Sequence, residues 1–396
     1  MSLRILITKP DWGITGGFEL VTEELARRLQ ADGHGVRWVQ PKVQLLGDRA
    51  YGRFVGELSK HAIEFVRYVQ LVEKFSRLDL GRADLVISTM PPSYAIDHPR
   101  HLALFSHHLR WYYDLSSAVI EAGFVKDANL HLEAQRWVRE IDARYLGAVS
   151  QIMATSEEVA GRLDRFNGLR HNVGVCHLGL GFRSSMPERG QNDSFRDVLC
   201  VSRHEFPKRT ELFVQAAHHV PETQFVSIGA GSRLGWAKQL DEEFARGVRD
   251  FAGPSRPLWC KAVGWIDPDI IEPGRVRFRG HVSAVDLDTA YRRALCVVAP
   301  AHLEDYGLTA IEAMAYGKPL IVCDDGGNLA NFVQDGVNGL VVPPDGAGIA
   351  VAVRRLADDP GLAARLGAAA RKLASGFTWQ RTMREFGSAI DEVMSQ

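Results

Sequence analysis

Two glutamates with seven residues between them, Glu304 and Glu312, frame a glycine turn in P-A-H-L-E-D-Y-G-L-T-A-I-E-A-M-A-Y-G-K-P, from Pro300 to Pro319. Gly307 permits a tight turn, and Leu308 to Tyr316 reads as a helix closed by Gly317 and Pro319. The amides following Tyr306, those of Gly307, Leu308 and Thr309, then lie at a helix N-terminus. Unpaired N–H groups and the helix dipole favour phosphate oxygens there. Glu304 stands in the loop before that end and Glu312 one turn inside it. A carboxylate accepts hydrogen bonds from hydroxyls but not from phosphate. Glu312 therefore suits a ribose diol, and Glu304 the hydroxyls of a sugar beyond a diphosphate. A single glutamate is most often solvated on a helix face; two of them framing a glycine turn after an apolar strand favour the chemical reading.

Other residues complement this pair. Arg203 and Lys208 follow an expected strand, and fixed cations there can neutralise a diphosphate and the charge it gains as a glycosidic bond breaks. An isolated loop Arg or Lys is more often solvated. Gly16 and Gly17 lie between the first strand and a helix, where bare backbone can approach phosphate or sugar; a plain strand-to-helix turn explains them equally well. Trp12 and Glu19 flank that loop as acceptor contacts. His107, beside His108 in L-F-S-H-H-L-R-W-Y-Y-D, can accept a hydrogen bond from a sugar hydroxyl or steady a transition state, and the neighbouring imidazole leaves the register open by one residue. Arg110, Trp111, Tyr112 and Tyr113 offer either an acceptor platform or core and rim. Gly229 belongs to G-A-G-S-R-L-G, whose third glycine comes one residue late for a dinucleotide fingerprint. His281 and Val282, after Gly280, can meet a base through backbone groups.

Parallel strands and crossover helices are needed to position these loops. Short apolar runs alternate with amphipathic stretches along the chain. Strands are expected at Arg4–Thr8, Val36–Val39, Asp84–Ser88, His101–Phe105, Ile152–Thr155 and Val173–His177. A second series runs Val198–Ser202, Gln224–Gly229, Val276–Arg279, Cys296–Ala299, Leu320–Cys323 and Gly339–Val342. The breaker-rich segment Ser184 to Ser194 separates the two. The length of 396 residues fits two or three domains. With 47 Lys+Arg against 48 Asp+Glu, no global field draws nucleic acid. No apolar run has the length of a membrane span and no leader is evident at Met1 to Arg4, so a cytoplasmic protein is expected. Peripheral contact with the inner membrane face stays open through Leu25, Arg27, Arg28 and Leu29. Cys176, Cys200, Cys260, Cys296 and Cys323 form no metal or disulfide pattern and read as reduced thiols. No metal-ligand spacing is present, and no metal is expected.

The E-x7-E stretch resembles the signature of retaining family 4 glycosyltransferases of the GT-B fold. Gly16-Gly17-Phe18-Glu19 with Gly33-His34, V-S-R-H-E-F-P-K at Val201 to Lys208, and Gly326-Gly327 to Gly339-Leu340 resemble the same family in its order. The resemblance implies two Rossmann-like doubly wound α/β domains facing across a cleft. An acceptor domain would span residues 1–185, with a C-terminal helix at 378–396 crossing back onto it, and a donor domain residues 195–377. It implies transfer of a hexosyl unit from a UDP- or GDP-sugar to an acceptor hydroxyl, without metal and with retention. Arg203 and Lys208 would stabilise the leaving group, with Glu304 and His107 near the reacting sugar. The acceptor stays open among glycans, lipid-linked sugars and small metabolites. At residue 209 the family usually has Gly, and Arg209 adds a charge beside Lys208. Two other readings stand: a catalytically silent sugar-nucleotide or glycan-binding protein, and an NAD-linked oxidoreductase resting on the incomplete glycine pattern.

Overall fold

The computed structural model describes residues 2–11, 16–42, 49–50, 53–54, 62–180 and 197–396. It divides into two α/β units, Met1–Gly181 with Thr378–Gln396, and Phe182–Phe377. The expected linker at Ser184 to Ser194, and Trp12, lie outside the described residues.

The first unit holds a parallel sheet of β1 (Arg4–Thr8), β2 (Gly35–Val39), β3 (Leu85–Ser88), β4 (His101–Phe105), β5 (Gln151–Ala154) and β6 (Val173–Val175), in the order β2-β1-β3-β4-β5-β6. Ile5, Leu6 and Ile7 are all buried, as a strand covered on both faces requires. Helix Gly17–Ala31 turns Val21, Leu25 and Leu29 inward. This settles the face considered for membrane contact: its leucines pack in the core, Arg27 and Arg28 pair with Glu24, and Arg28 stacks on Trp379. Helix Trp379–Ser395 closes this unit. Thr382 Oγ1 donates to the His177 carbonyl and accepts from the Gly179 amide, both at 2.8 Å. No helix among the described residues is long and apolar enough to cross a membrane.

The second unit repeats the plan with β7 (Asp197–Val201), β8 (Gln224–Ile228), β9 (Val276–Phe278), β10 (Ala294–Ala299), β11 (Leu320–Cys323) and β12 (Gly339–Val342), ordered β9-β8-β7-β10-β11-β12. Every expected strand is present, with no end moved by more than two residues. The chain direction across this sheet reverses between β7 and β10. Loops leaving the carboxyl ends of those two strands diverge and leave a crevice. These are the loops carrying Arg203, Lys208 and Glu304.

All five cysteines are thiols. Burial pushes those of Cys176, Cys200, Cys296 and Cys323 up to about 12, which leaves about one thiolate in ten thousand at pH 8. Cys260 is only half-buried. A thiol-specific chromogenic reagent should therefore label one cysteine, Cys260, in native protein and all five after denaturation, as read by mass spectrometry.

Candidate functional site

A cleft of about 310 Å³ opens at the β7/β10 switch point, lined by Ser202, Lys208, Glu304, Gly307 and Thr309 over a floor that includes Cys200. Gly307 caps helix Leu308–Ala315 with φ of 90°. A Cβ there would stand 2.6 Å from Leu329 Cδ2, so the positive φ favours glycine and any side chain would also have to displace Leu329. The first amides of the helix, Leu308 and Thr309, have no carbonyl one turn back inside it to bond, and the loop that carries Glu304 leads directly into them. That loop is held by its neighbour after β11: the Leu303 and Glu304 amides donate to Asp325 and Gly326 carbonyls, each at 3.0 Å, and the Asn328 amide donates to the Glu304 carbonyl at 2.9 Å.

Lys208 Nζ donates to Glu304 Oε2. Their side chains are 24% and 14% exposed, so the pair is shielded yet reachable from solvent. One wall of the cleft thus carries a cation, a carboxylate and a helix N-terminus. An anion can be met by Lys208 and the amides, and hydroxyls by Glu304. Glu312 and Arg203 do not line this cleft. Glu312 is half-buried, with Oε2 3.1 Å from the Tyr291 hydroxyl, and Tyr291 stacks on Tyr316. Arg203 is exposed and pairs with no carboxylate among the described residues. Tyr306 is buried, its carbonyl accepting from Asn328 Nδ2 at 2.9 Å.

Arg209 does not add its charge to the cleft. Its side chain is fully buried and paired with Asp325, so the extra positive charge expected beside Lys208 is spent inside the unit.

The glycine pattern after β8 has a packing explanation. Gly229 has φ of 130°, and a Cβ on it would meet the Ser202 carbonyl oxygen at 1.9 Å. Its amide donates to the Gly280 carbonyl at 2.8 Å, and the His204 amide donates to the Ala230 carbonyl at 2.9 Å. These glycines let three strand-end loops run against one another, which removes the feature that favoured a nicotinamide cofactor. His281 is exposed and Val282 half-buried beside Gly280.

In the first unit, the loop after β4 resolves the two histidines. His108 is buried, with Nε2 2.8 Å from Asn167 Oδ1 and its ring against Phe105 and Tyr113; burial lowers it to about 4. His107 is half-buried, and its Nδ1 lies 2.7 Å from the His108 carbonyl. A carbonyl only accepts, so in the neutral ring Nδ1 carries the proton and Nε2 is the acceptor. The aromatic platform does not form. Tyr112 and Tyr113 are buried, the latter donating to Asp142 Oδ2 at 2.7 Å, and Arg110 is held by Asp114. Glu19 is likewise engaged, accepting from the Gly16 amide at 2.9 Å and capping its own helix, while Gly17 is the exposed first residue of that helix.

Sequence reasoning missed Asp142, buried among Tyr68, Tyr94 and Tyr113, and missed His302 and Asp325. The one available signal was the non-glycine residue at 209.

Residues 273–373 match the family described as "Glycosyl transferases group 1". Over 396 aligned positions, covering 94% of this chain and 82% of the relative, the chain is 43% identical to a D-inositol 3-phosphate glycosyltransferase of Streptomyces avermitilis. A 106-residue stretch is 44% identical to a glycogen synthase of Mycobacterium tuberculosis, spanning 26% of this chain and only 25% of that protein. The sucrose-phosphate synthase structure from Thermosynechococcus elongatus superposes with a TM-score of 0.70 at 21% identity, covering 99% of both chains. Two six-stranded parallel sheets with this strand order, a charged cleft at the second switch point and a relative matched over nearly the whole chain place this protein among the group 1 glycosyltransferases of the GT-B fold.

Proposed function

We propose that the protein transfers a hexosyl unit from a nucleoside-diphosphate sugar to an acceptor hydroxyl with retention of configuration, the second unit binding the donor and the first unit the acceptor. The observation that carries this reading is the pairing of Lys208 with Glu304 at the open N-terminus of helix Leu308–Ala315. Lys208 and the helix amides take the diphosphate, Arg203 adds a mobile cation for the departing charge, and Glu304 accepts from sugar hydroxyls. Glu312, steadied by Tyr291, takes the ribose diol, and Gly229, His281 and Val282 approach the base. From the first unit, Gly16 and Gly17 are the backbone groups we assign to phosphate or sugar, and the Nε2 of His107 the group we assign to the reacting sugar. The name of the Streptomyces relative supports trying a polyol phosphate first among acceptors.

The test is a thermal-shift series with UDP, GDP and NAD added separately. At about 100 times its dissociation constant a ligand stabilises by roughly 2.7 kcal/mol, a shift of several degrees at this size. UDP or GDP should produce it and NAD should not. A shift with NAD alone would overturn the reading. The responding nucleotide then selects the sugar donors to assay against inositol phosphate and other polyols.

A further inference from the structure

Arg209 occupies a position that ought to be hostile to it. Its φ of 50° is left-handed, where a side chain is disfavoured and glycine is at ease, and its guanidinium has no exposure to water. The compensation is a nearly complete set of acceptors. Nε donates to the Pro300 carbonyl at 2.6 Å, and Nη2 to the Ala301 carbonyl at 3.1 Å. Nη1 and Nη2 form a fork onto Asp325 at 2.8 and 2.5 Å, and the cation lies 5.1 Å from the centroid of Trp259. Asp325 is also bonded by His302 Nδ1 at 2.9 Å. Burial alone would raise its carboxyl, but the bonds from His302 and Arg209 outweigh that and hold it down at about 2.

This network ties three loops together beside the cleft. Arg209 directly follows Lys208. Asp325 receives the Leu303 amide on its carbonyl, and the next carbonyl, Gly326, receives that of Glu304. The His302 amide reaches back to the Pro207 carbonyl at 2.7 Å. Each partner of the Lys208–Glu304 pair is therefore adjacent, through the main chain or one hydrogen bond, to the buried Arg209–Asp325 fork. A planar fork locks both distance and direction, which an ammonium does not.

We propose that Arg209 is a positioning residue whose buried fork onto Asp325 fixes the separation of Lys208 from Glu304. For a site that must offer a cation to a diphosphate and a carboxylate to the attached sugar, that separation sets affinity. The consequence for affinity rests on the donor reading given above; the brace itself does not.

The experiment compares full-length wild type with Arg209→Gly, Arg209→Lys and Asp325→Asn by melting temperature, amide hydrogen exchange and titration with UDP and with GDP. Glycine suits the backbone at 209, so Arg209→Gly should keep a cooperative melt. Its Leu303 and Glu304 amides should exchange about tenfold faster, and the bound nucleotide should weaken about tenfold, since displacement by a fraction of an ångström at a charged site has effects of this order. Arg209→Lys, which keeps the charge without the fork, should weaken binding nearly as much. Should Arg209→Gly not fold, Asp325→Asn carries the same two readouts. Unchanged exchange at Leu303 and Glu304 overturns the brace whichever nucleotide binds. Faster exchange with undiminished affinity overturns the positioning role, because a merely structural contact would loosen the loop without moving the titration. If wild type binds neither UDP nor GDP while exchange still rises, the donor reading fails and the brace stands.

Discussion

Glu304→Gln should bind a nucleoside diphosphate more tightly than wild type while turning over at least ~100-fold more slowly. The two effects separate because Glu304 has two occupations. Without donor it holds Lys208, and an incoming diphosphate must take that cation away. Removing the carboxylate's charge removes the competitor. The pair is partly exposed, so the gain is limited to about 2- to 5-fold, in keeping with ion pairs worth up to ~1 kcal/mol. During transfer the same carboxylate grips sugar hydroxyls, and an amide accepts from them more weakly than a charged oxygen. Lys208→Ala should lose both quantities, because no other side-chain cation lines the described cleft. Arg203→Ala, at an exposed position, should lose turnover with almost no change in melting temperature. Titration of UDP and GDP beside steady-state turnover reads all three variants. Weaker diphosphate binding by Glu304→Gln would contradict the competition, and wild-type turnover by that variant would remove Glu304 from the sugar.

The strands were legible because parallel strands covered on both faces appear as short unbroken apolar runs, as in Ile5-Leu6-Ile7 or Leu320 to Cys323. Helix Ile63–Ser76 went unassigned although Phe65, Tyr68, Val69, Val72 and Phe75 recur at helical spacing on its buried side, opposite Glu64, Arg67, Glu73 and Lys74. Of the site, the parts within one loop and helix could be read directly: Glu304, Gly307 and the first turn after it. Arg209 with Asp325 could not, since the partners are 116 residues apart and sequence does not show whether a charge is buried. The same limit left Tyr112 and Tyr113 open between platform and core. An aromatic run after a strand suits a sugar platform, but a carboxylate at Asp142, 29 residues beyond Tyr113, draws that hydroxyl into the core.

That core makes the chain sensitive to acid. In the first unit, burial lowers His101 to about 3 and His108 to about 4, keeping both rings neutral; His101 Nε2 lies 2.8 Å from Ser88 Oγ and His108 Nε2 bonds Asn167. The unfolded chain takes protons on these rings near 6.5, before the folded one does, so their stabilisation is full above that value and is lost as pH falls. From pH 7 to 4 each histidine loses about 3 kcal/mol. Asp142 acts in the opposite direction. Burial raises it to about 6 despite the hydroxyls of Tyr68, Tyr94 and Tyr113, so the folded state takes up this proton first and gains about 2 kcal/mol over the same interval. The losses at His101 and His108 against that one gain leave the unit about 4 kcal/mol less stable at pH 4, and His131, also lowered by burial, adds to the fall; this is a large part of an ordinary domain's margin. His204 in the second unit, lowered by burial to about 4, carries the same penalty. Urea titrations at pH 7, 5.5 and 4 should show stability falling monotonically. His108→Gln should remove about 3 kcal/mol of the fall, whereas Asp142→Asn should steepen it by deleting the compensating proton. A flat profile in wild type, or a shallower one in Asp142→Asn, would show that these buried groups do not titrate in the order their surroundings dictate.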